Sequence, residues 1–400
     1  MKNLIMWLIT ICLLTLSLNN NELFAQVTID EELDMPILTA SQRGGLHITS
    51  WGTLKILVVF VKTKDDNDNS FSGWPLNSTP DWLLQFLDSQ PNYTGQFTYN
   101  NYSQYFWEMS NGNFQVIGDI YPSVYISQKN EAEYANIQEL NEEVLTAIDP
   151  YVDYSDYDNW RKDSNYNHTN VPDGNVDCIM IFYRALSHDF MWYTGSADLK
   201  LNNNLSFDGV TIKTGFPGSG LQQKSAMVGF EYTKYLAAHE IGHHLFGSGH
   251  TGPGAKLTLM DGGDYAAWYT MRGMCSWERE RLGWIDYDEI QTTGSINVTL
   301  SDYMTTGDVI KINTGNTGEY FLLENRQGFS IHDQAADHGM YVLHVTNGDH
   351  SMATIDIECA DGNWNFLFNG STETLIRVTE IRNGKDEINF TTYYNGDRII

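Results

Sequence analysis

Four of the eleven histidines of this chain fall within twelve residues, in the run from His239 to His250. His239, Glu240 and His243 form the pattern H-E-x-x-H, which is typical of zinc hydrolases. Two histidines four positions apart project from the same face of a helix, where both imidazoles can reach one metal ion. Glu240 lies about 100° further round the helix, where it reaches a metal-bound water instead of the metal. His244 points about 100° away from the ligand face, so we expect it to be solvated or to support a ligand.

A catalytic zinc site needs a third protein ligand and leaves its fourth position to water. In metzincins the pattern continues as H-E-x-x-H-x-x-G-x-x-H, where the glycine breaks the helix and lets the chain turn back. The same G-x-x-H unit is present here as Gly247 and His250, displaced by one residue. We expect His250 to be the third ligand, because glycine gives the backbone freedom to absorb one extra residue. Asp261 and Asp264 remain alternatives.

A methionine follows at a suggestive distance. Met260 lies ten residues after His250, within the segment Leu257–Gly263. This placement predicts the tight Met-turn that lies beneath the zinc of metzincins. Tyr265 and Tyr269 follow the turn and are candidates for stabilising a developing oxyanion.

These motifs resemble those of the secreted metallopeptidases related to immune inhibitor A. The resemblance covers about residues 52–346 and rests on seven segments: Lys55–Val61, Met109–Phe114, Asp173–Asp177, His239–His243, Leu259–Gly262, Cys275–Ile285 and Glu319–Gln327. That family usually offers an aspartate as the third ligand, in H-E-x-x-H-x-x-G-x-P-D, whereas His250 is closer to the wider metzincin pattern.

The ligand set and the resemblance imply proteolysis. Zinc held by three imidazoles lowers the pKa of its water to about 7. Glu240 would accept the proton as this water attacks a peptide carbonyl, and could then protonate the leaving amine. We therefore expect a secreted zinc metalloendopeptidase that hydrolyses extracellular proteins.

One alternative belongs to a different class of protein. The aromatic-rich composition and a β-rich C-terminal region would also suit a surface adhesin or glycan-binding protein with a non-catalytic zinc site. Structural zinc sites, however, are closed by four ligands that usually include thiolates, and the motif contains no cysteine.

The N-terminus predicts export. Lys2, the apolar run Leu4–Leu18 and the segment Leu23–Ala25 read as a signal peptide that covers residues 1–25. The apolar run is too short for a comfortable membrane span, and no later segment qualifies as one. Residues 26–51 are predicted to be a short N-terminal or pro segment. We expect a secreted protein, with the cell surface as an alternative location.

The net charge of −28 excludes the basic patches that hold nucleic acid, so nucleic acid is not an expected partner. Acidic loops can bind calcium through carboxylate and amide oxygens. Asp173, Asn175 and Asp177 alternate in such a loop and are candidate calcium ligands. The loop lacks the terminal glutamate of an EF-hand, so a solvated turn remains an alternative.

The hydrophobic pattern predicts an α/β metzincin-like domain over residues 52–294, with a twisted sheet and flanking helices, and a β-rich, sandwich-like domain over residues 295–400. Before the motif, the predicted strands are Leu54–Val61, Phe114–Tyr121 and Val176–Tyr183. The predicted helices there are Asp81–Ser89, Gln104–Met109 and Glu131–Ile148. The predicted strands of the C-terminal region are Ile296–Leu300, Val309–Ile312, Tyr320–Leu323, Met340–Val345, Leu375–Val378 and Ile388–Tyr394.

Overall fold

The computed structural model describes residues 25–27, 45–163, 167–224, 228–251, 258–260, 273–290, 298–333, 338–348 and 353–357, with the strand backbones 365–369, 373–377, 392–394 and 397–399. The chain divides into two compact units. One comprises residues 44–249 with 266–268, and the other comprises residues 1–43, 250–265 and 269–400. The predicted domains, 52–294 and 295–400, divide the chain elsewhere and stay predictions.

The unit of residues 44–249 is built on a mostly parallel, six-stranded sheet. Its strands are β1 (Gly52–Lys62), β2 (Phe114–Ile120), β3 (Tyr125–Ile126), β4 (Ile179–Tyr183), β5 (Gly195–Ser196) and β6 (Gly220–Gln223). The strand order is β2-β1-β4-β6-β5, and β3 pairs with the end of β1. All pairings are parallel except that of β5 with β6. The mixed α/β class and the three predicted strands are thereby confirmed, with shifted ends.

Burial explains why these strands read as unbroken apolar runs. Every residue from Leu57 to Val61 is buried, as is every residue of β4. Parallel strands covered on both faces lose the alternation of apolar and polar residues that a half-exposed strand shows. The centre of the sheet therefore belongs to the core.

Among the described residues, three helices accompany the sheet. They are α1 (Tyr102–Met109), α2 (Ile137–Ile148) and α3 (Phe230–Phe246), which carries the histidine motif and is called the motif helix below. The large apolar side chains of α2 are buried in one cluster with Leu57, Val59 and Val61 of β1. Among the residues that the structure describes, no helix combines the length and apolar character needed to cross a membrane.

The predicted helix Asp81–Ser89 is wrong. Only a short 3-10 turn forms there, Leu83–Gln85. The end of the segment is held by tertiary hydrogen bonds instead, because the Asp88 amide donates to Ser103 Oγ at 3.0 Å and its carbonyl accepts from the Gly118 amide at 3.0 Å. These distant partners replace the bonds that a continuing helix would need.

The predicted helix Glu131–Ile148 is broken near its start. A 3-10 turn over Glu131–Glu133 is followed by extended backbone at Tyr134, and α2 begins only at Ile137. Asn136 takes the N-cap position, where its side chain accepts from the Glu139 amide at 2.9 Å. Asparagine is among the best N-caps, so the helix starts after it.

The smaller elements of this unit connect the layers. They are the 3-10 turns Asp149–Tyr151 and Tyr154–Tyr157, the strand pair Arg161–Lys162 with His168–Thr169, and the strand pair Leu205–Phe207 with Val210–Ile212.

The unit that contains residues 269–400 is rich in strands, as expected. Its five-stranded sheet contains β7 (Asp288–Glu289), β8 (Val309–Asn313), β9 (Tyr320–Arg326), β10 (Gly339–Thr346) and β11 (Thr354–Ile357), in sequence order. The helices that the structure describes here are α4 (Ser276–Arg281) and α5 (Tyr303–Thr306). The remaining described strands pair as Ala25–Val27 with Val298–Leu300, Asn365–Asn369 with Glu373–Arg377, and Thr392–Tyr394 with Asp397–Ile399. The two-layer sandwich stays a prediction.

A buried carboxylate organises the start of α4. Glu278 accepts hydrogen bonds from the backbone amides of Leu259 at 3.0 Å, Met260 at 2.7 Å and Cys275 at 2.9 Å. All four residues are buried. Unsatisfied buried backbone donors are costly, so this one side chain stabilises both the helix start and the turn that contains Met260.

We expect Glu278→Gln to lower the stability of the fold. The amide group of glutamine would face at least one of the three backbone donors, which leaves a buried N–H unpaired at a cost of about 1–3 kcal/mol. Asp288→Asn is the matched control, because it makes the same change of carboxylate to amide at an exposed position on β7. Urea unfolding measures both variants, and equal stabilities would contradict the role of Glu278.

Candidate metal centre

The motif helix begins and ends at glycines. Gly229 precedes it with a φ of 124°, and Gly247 follows it with a φ of 110°, a region that L side chains rarely adopt. The helix ends at Gly247, the glycine of the G-x-x-H unit that was expected to break it. Thr233 lies within the first turn, where its Oγ1 donates to the Gly229 carbonyl at 2.8 Å.

Three histidines come together at the end of the motif helix. One ring nitrogen each of His239, His243 and His250 lies within 4.8 Å of the other two, close enough for the three to share one metal ion. His239 is buried, His243 is partly buried and His250 is exposed. No other group of three or more histidine, cysteine, aspartate or glutamate ligands of this kind occurs among the described residues. The group could therefore hold a metal ion.

The protonation of His243 follows from its hydrogen bond. Its Nδ1 lies 3.0 Å from the Gly247 carbonyl, which can only accept, so Nδ1 carries the hydrogen. The other nitrogen, Nε2, then carries the lone pair that can bind a metal. Orientation of a ligating histidine by a backbone carbonyl is a common way to fix both its tautomer and its ring.

Glu240 is 6% exposed and faces the edge of the sheet. A Cβ atom added to Gly195 of β5 would lie only 2.3 Å from Glu240 Oε1, so the strand backbone passes directly beside this carboxylate. Tyr193 is also close: burial, the charge of Asp198 and the charge of Glu240 together raise the pKa of its phenol. Neither Gly195 nor Tyr193 could be predicted from the sequence, because a two-residue strand leaves no periodicity to detect.

His244 is not solvated, contrary to one of the two roles expected from the sequence. It is 1% exposed and packs against the ring of Phe216, with ring centroids 5.6 Å apart. Burial and the charge of His47 lower the pKa of His244 to about 4. The ring therefore stays neutral near pH 7 and contributes to the packing of the motif helix.

The predicted pro segment, residues 26–51, ends in residues that support the motif helix. The amides of Leu46 and His47 donate to the carbonyls of Leu245 and His244 at 2.8 and 2.9 Å. These carbonyls belong to the last turn of the motif helix. The carbonyls of a last turn have no hydrogen-bond donors within their own helix. Removal of the whole segment would expose them, so residues 45–50 are part of the folded unit.

Met260 lies in a turn, as expected, and is fully buried. Its carbonyl accepts from the amide of Thr251, the residue after His250, at 2.8 Å. The hydroxyls of Thr251 and Thr258 are 2.7 Å apart. The chain that follows His250 is therefore fastened to the turn of Met260. Asp261, Asp264, Tyr265 and Tyr269 lie outside the described residues.

The three candidate calcium ligands make hydrogen bonds within their loop and to the segment Asn159–Trp160. Asp173 Oδ1 accepts from the amide and from the side chain of Asn175, at 2.9 and 2.8 Å. Asp177 Oδ2 accepts from the amides of Asn159 and Trp160, at 2.7 and 3.1 Å. These bonds account for the loop without an ion, and calcium binding stays a prediction.

No family model matches the chain, and the comparison with curated proteins found no match either. The resemblance to the metallopeptidases related to immune inhibitor A therefore rests on the motifs alone and stays a prediction.

We expect Asp177 to make stability depend on pH. Burial raises the pKa of its carboxyl from 3.8 to about 7. Because the pKa of Asp177 is higher in the folded than in the unfolded state, its contribution to the free energy of unfolding is complete below about pH 4. That contribution is lost as the pH rises through about 7. The unfolding free energy of Asp177→Asn should therefore fall less over this range than that of the wild type.

Urea unfolding at a series of pH values measures this difference, with Asp81→Asn, at an exposed aspartate, as the control. Parallel curves for wild type and Asp177→Asn would contradict the assignment. The same experiment tests the calcium prediction, since a bound ion would stabilise the wild type above about pH 7, but not the variant.

The third metal ligand is tested by the metal content of single variants. Loss of a residue that orients a metal ligand lowers metal affinity by roughly 10–100-fold. We expect His250→Ala to lower it by more, because this variant removes a ligand itself. Asp261→Ala, Asp264→Ala and the exposed-histidine control His188→Ala should retain the metal. Metal retained in His250→Ala and lost in an aspartate variant would require reassignment of the ligand.

Proposed function

We propose that this chain is a zinc-dependent metalloendopeptidase. The observation that carries the proposal is the group of His239, His243 and His250, whose ring nitrogens lie within 4.8 Å of one another, together with Glu240 between the first two ligands on the same helix. This arrangement supplies three candidate metal ligands and one carboxylate that is not part of the ligand group. Catalytic zinc sites have the same composition.

The donor set supports zinc and favours a catalytic over a structural site. Imidazole nitrogen is a preferred zinc ligand, and three protein ligands leave one position for water. Structural sites usually contain thiolates, yet the two described cysteines, Cys178 and Cys275, do not join the group. Within the described residues the group has three members, as a catalytic site requires.

The residues around the site have separable tasks in this proposal. Zinc, when bound, would polarise the scissile carbonyl and activate water near neutral pH. Glu240 accepts the proton of the attacking water and then delivers it to the leaving amine. The Gly247 carbonyl keeps His243 in the tautomer that can ligate. Burial of His239 and Glu240 limits water around the reacting groups, which strengthens the electrostatic interactions there.

A protein substrate is favoured by the position of β5. This strand comes last in the order of the described sheet, and its backbone lies beside Glu240. The open edge of a strand can pair with an extended peptide through backbone hydrogen bonds, which suits a polypeptide better than a glycan. We propose extracellular proteins as substrates because residues 1–25 have the pattern of a signal peptide.

The test is Glu240→Gln. We expect this variant to bind zinc as the wild type does and to lose activity on casein or gelatin by about 10²–10⁴-fold, since glutamine cannot accept the proton. Glu231→Gln is the matched control, because Glu231 lies in the first turn of the same helix, where its side chain is 45% exposed.

Cleavage by Glu240→Gln at the rate of the wild type would contradict the mechanism. A wild type that binds zinc but cleaves no protein would favour the alternative, an adhesin or glycan-binding protein with a non-catalytic site.

A further inference from the structure

The backbone of Gly195 lies against the side chain of Glu240. A Cβ atom at this position would lie 2.3 Å from Oε1, 3.0 Å from Cδ and 3.1 Å from Cγ of Glu240, and ordinary contact begins at 3.4 Å. All three atoms belong to one side chain. Gly195 has no positive φ, so its backbone conformation is open to other residues. The requirement for glycine here is therefore spatial and concerns Glu240.

The backbone around Gly195 is fixed by its pairing with β6. Gly195 and Ser196 pair with Gln223 and Gln222 of β6. The amide of Lys224 donates to the Thr194 carbonyl at 2.9 Å. Strand β5 therefore cannot retreat from the motif helix without breaking these bonds.

Two further contacts hold β5 and its neighbour. The side-chain nitrogen of Gln222 donates to the Tyr193 hydroxyl at 3.2 Å and to the Asp198 carbonyl at 3.1 Å. Gln222 is itself fully buried, and Asn141 of α2 donates to its side-chain oxygen at 3.0 Å. The segment is thus tied to the core on each side of the glycine.

The motif helix is fixed as well. The Tyr102 hydroxyl donates to the Ala237 carbonyl at 3.1 Å, and the Gln223 side chain donates to the Thr233 carbonyl at 3.1 Å. With strand and helix both held, a larger residue at position 195 can be accommodated only by movement of the Glu240 side chain.

We propose that Gly195 is a positioning residue that sets where the Glu240 carboxylate lies relative to the three histidines. This inference rests on the proposed function, because it assigns Glu240 the role of general base. The glycine backbone forms one wall of the space that the carboxylate occupies. A methyl group on that wall would displace Oε1 by about 1 Å, since the clash is at 2.3 Å and contact begins at 3.4 Å.

The displacement should affect catalysis and leave the fold intact. The end of a glutamate side chain can move into another rotamer at small cost. A misplacement of about 1 Å in catalytic geometry can lower the rate about 100-fold. Gly195→Ala should therefore reduce kcat on that order, with KM, melting temperature and zinc content close to those of the wild type.

Ser196→Ala is the matched control, because it makes a similarly small change one residue further along β5. It should keep the activity of the wild type. A second variant tests the coupling: Glu240→Asp shortens the carboxylate side chain, so Gly195→Ala should cost less activity in the Glu240→Asp background than in the wild type.

A crystal structure of Gly195→Ala gives a readout that is independent of activity, and we expect it to show a displaced Glu240 carboxylate. An unmoved carboxylate, an unchanged kcat, or a fall in activity matched by loss of zinc or of folded protein would overturn the proposal. If the wild type itself cleaves no protein, the proposed function fails, while the crystal structure still decides whether Gly195 positions Glu240.

Discussion

The candidate site depends on where the motif helix ends. Two imidazoles four residues apart can share an ion only while the backbone is helical, and the third histidine can join them only after the helix has stopped. Gly247 provides this end with a φ of 110°. Its amide donates to the His243 carbonyl at 2.8 Å, and its own carbonyl accepts from His243 Nδ1 at 3.0 Å. One residue therefore closes the helix and orients a ligand.

The surrounding structure buries nearly all of this helix, so the helix has no broad exposed face. Fourteen of its seventeen residues are buried, including Lys234, whose ammonium donates to the Asn100 carbonyl at 2.9 Å. Burial of His239 and Glu240 costs free energy unless polar partners or an ion compensate. Polar residues in such a place, where a purely structural helix would have apolar ones, are typical of functional sites.

The sequence predicts the candidate metal ligands better than it predicts the contacts that hold the surrounding segments in place. The spacing of His239 and His243 depends on local helix geometry, and Gly247 marks where the helix ends before His250, so a short motif encodes all three positions. The sheet was likewise predictable, because strands such as β1 are buried on both faces and read as apolar runs. The sandwich of the C-terminal region and the roles of Asp261, Asp264, Tyr265 and Tyr269 stay predictions.

Features that depend on distant contacts could not be predicted in this way. Asp81–Ser89 has helical composition but is held by Ser103 and Gly118, far away in sequence. Burial of His244 against Phe216 comes from the packing of the whole unit. Gly195 matters only because its strand approaches Glu240 in the folded protein. The sequence contains 34 glycines, and nothing in it distinguishes Gly195 from the others.

The central claim is that three imidazoles of this chain bind one zinc ion and leave a position for water. Elemental analysis of the purified protein combined with X-ray absorption at the zinc edge tests it most directly. The account predicts one zinc per chain with nitrogen and oxygen ligands at about 2.0–2.1 Å. A protein that binds no zinc, or sulfur ligands at about 2.3 Å, would contradict it.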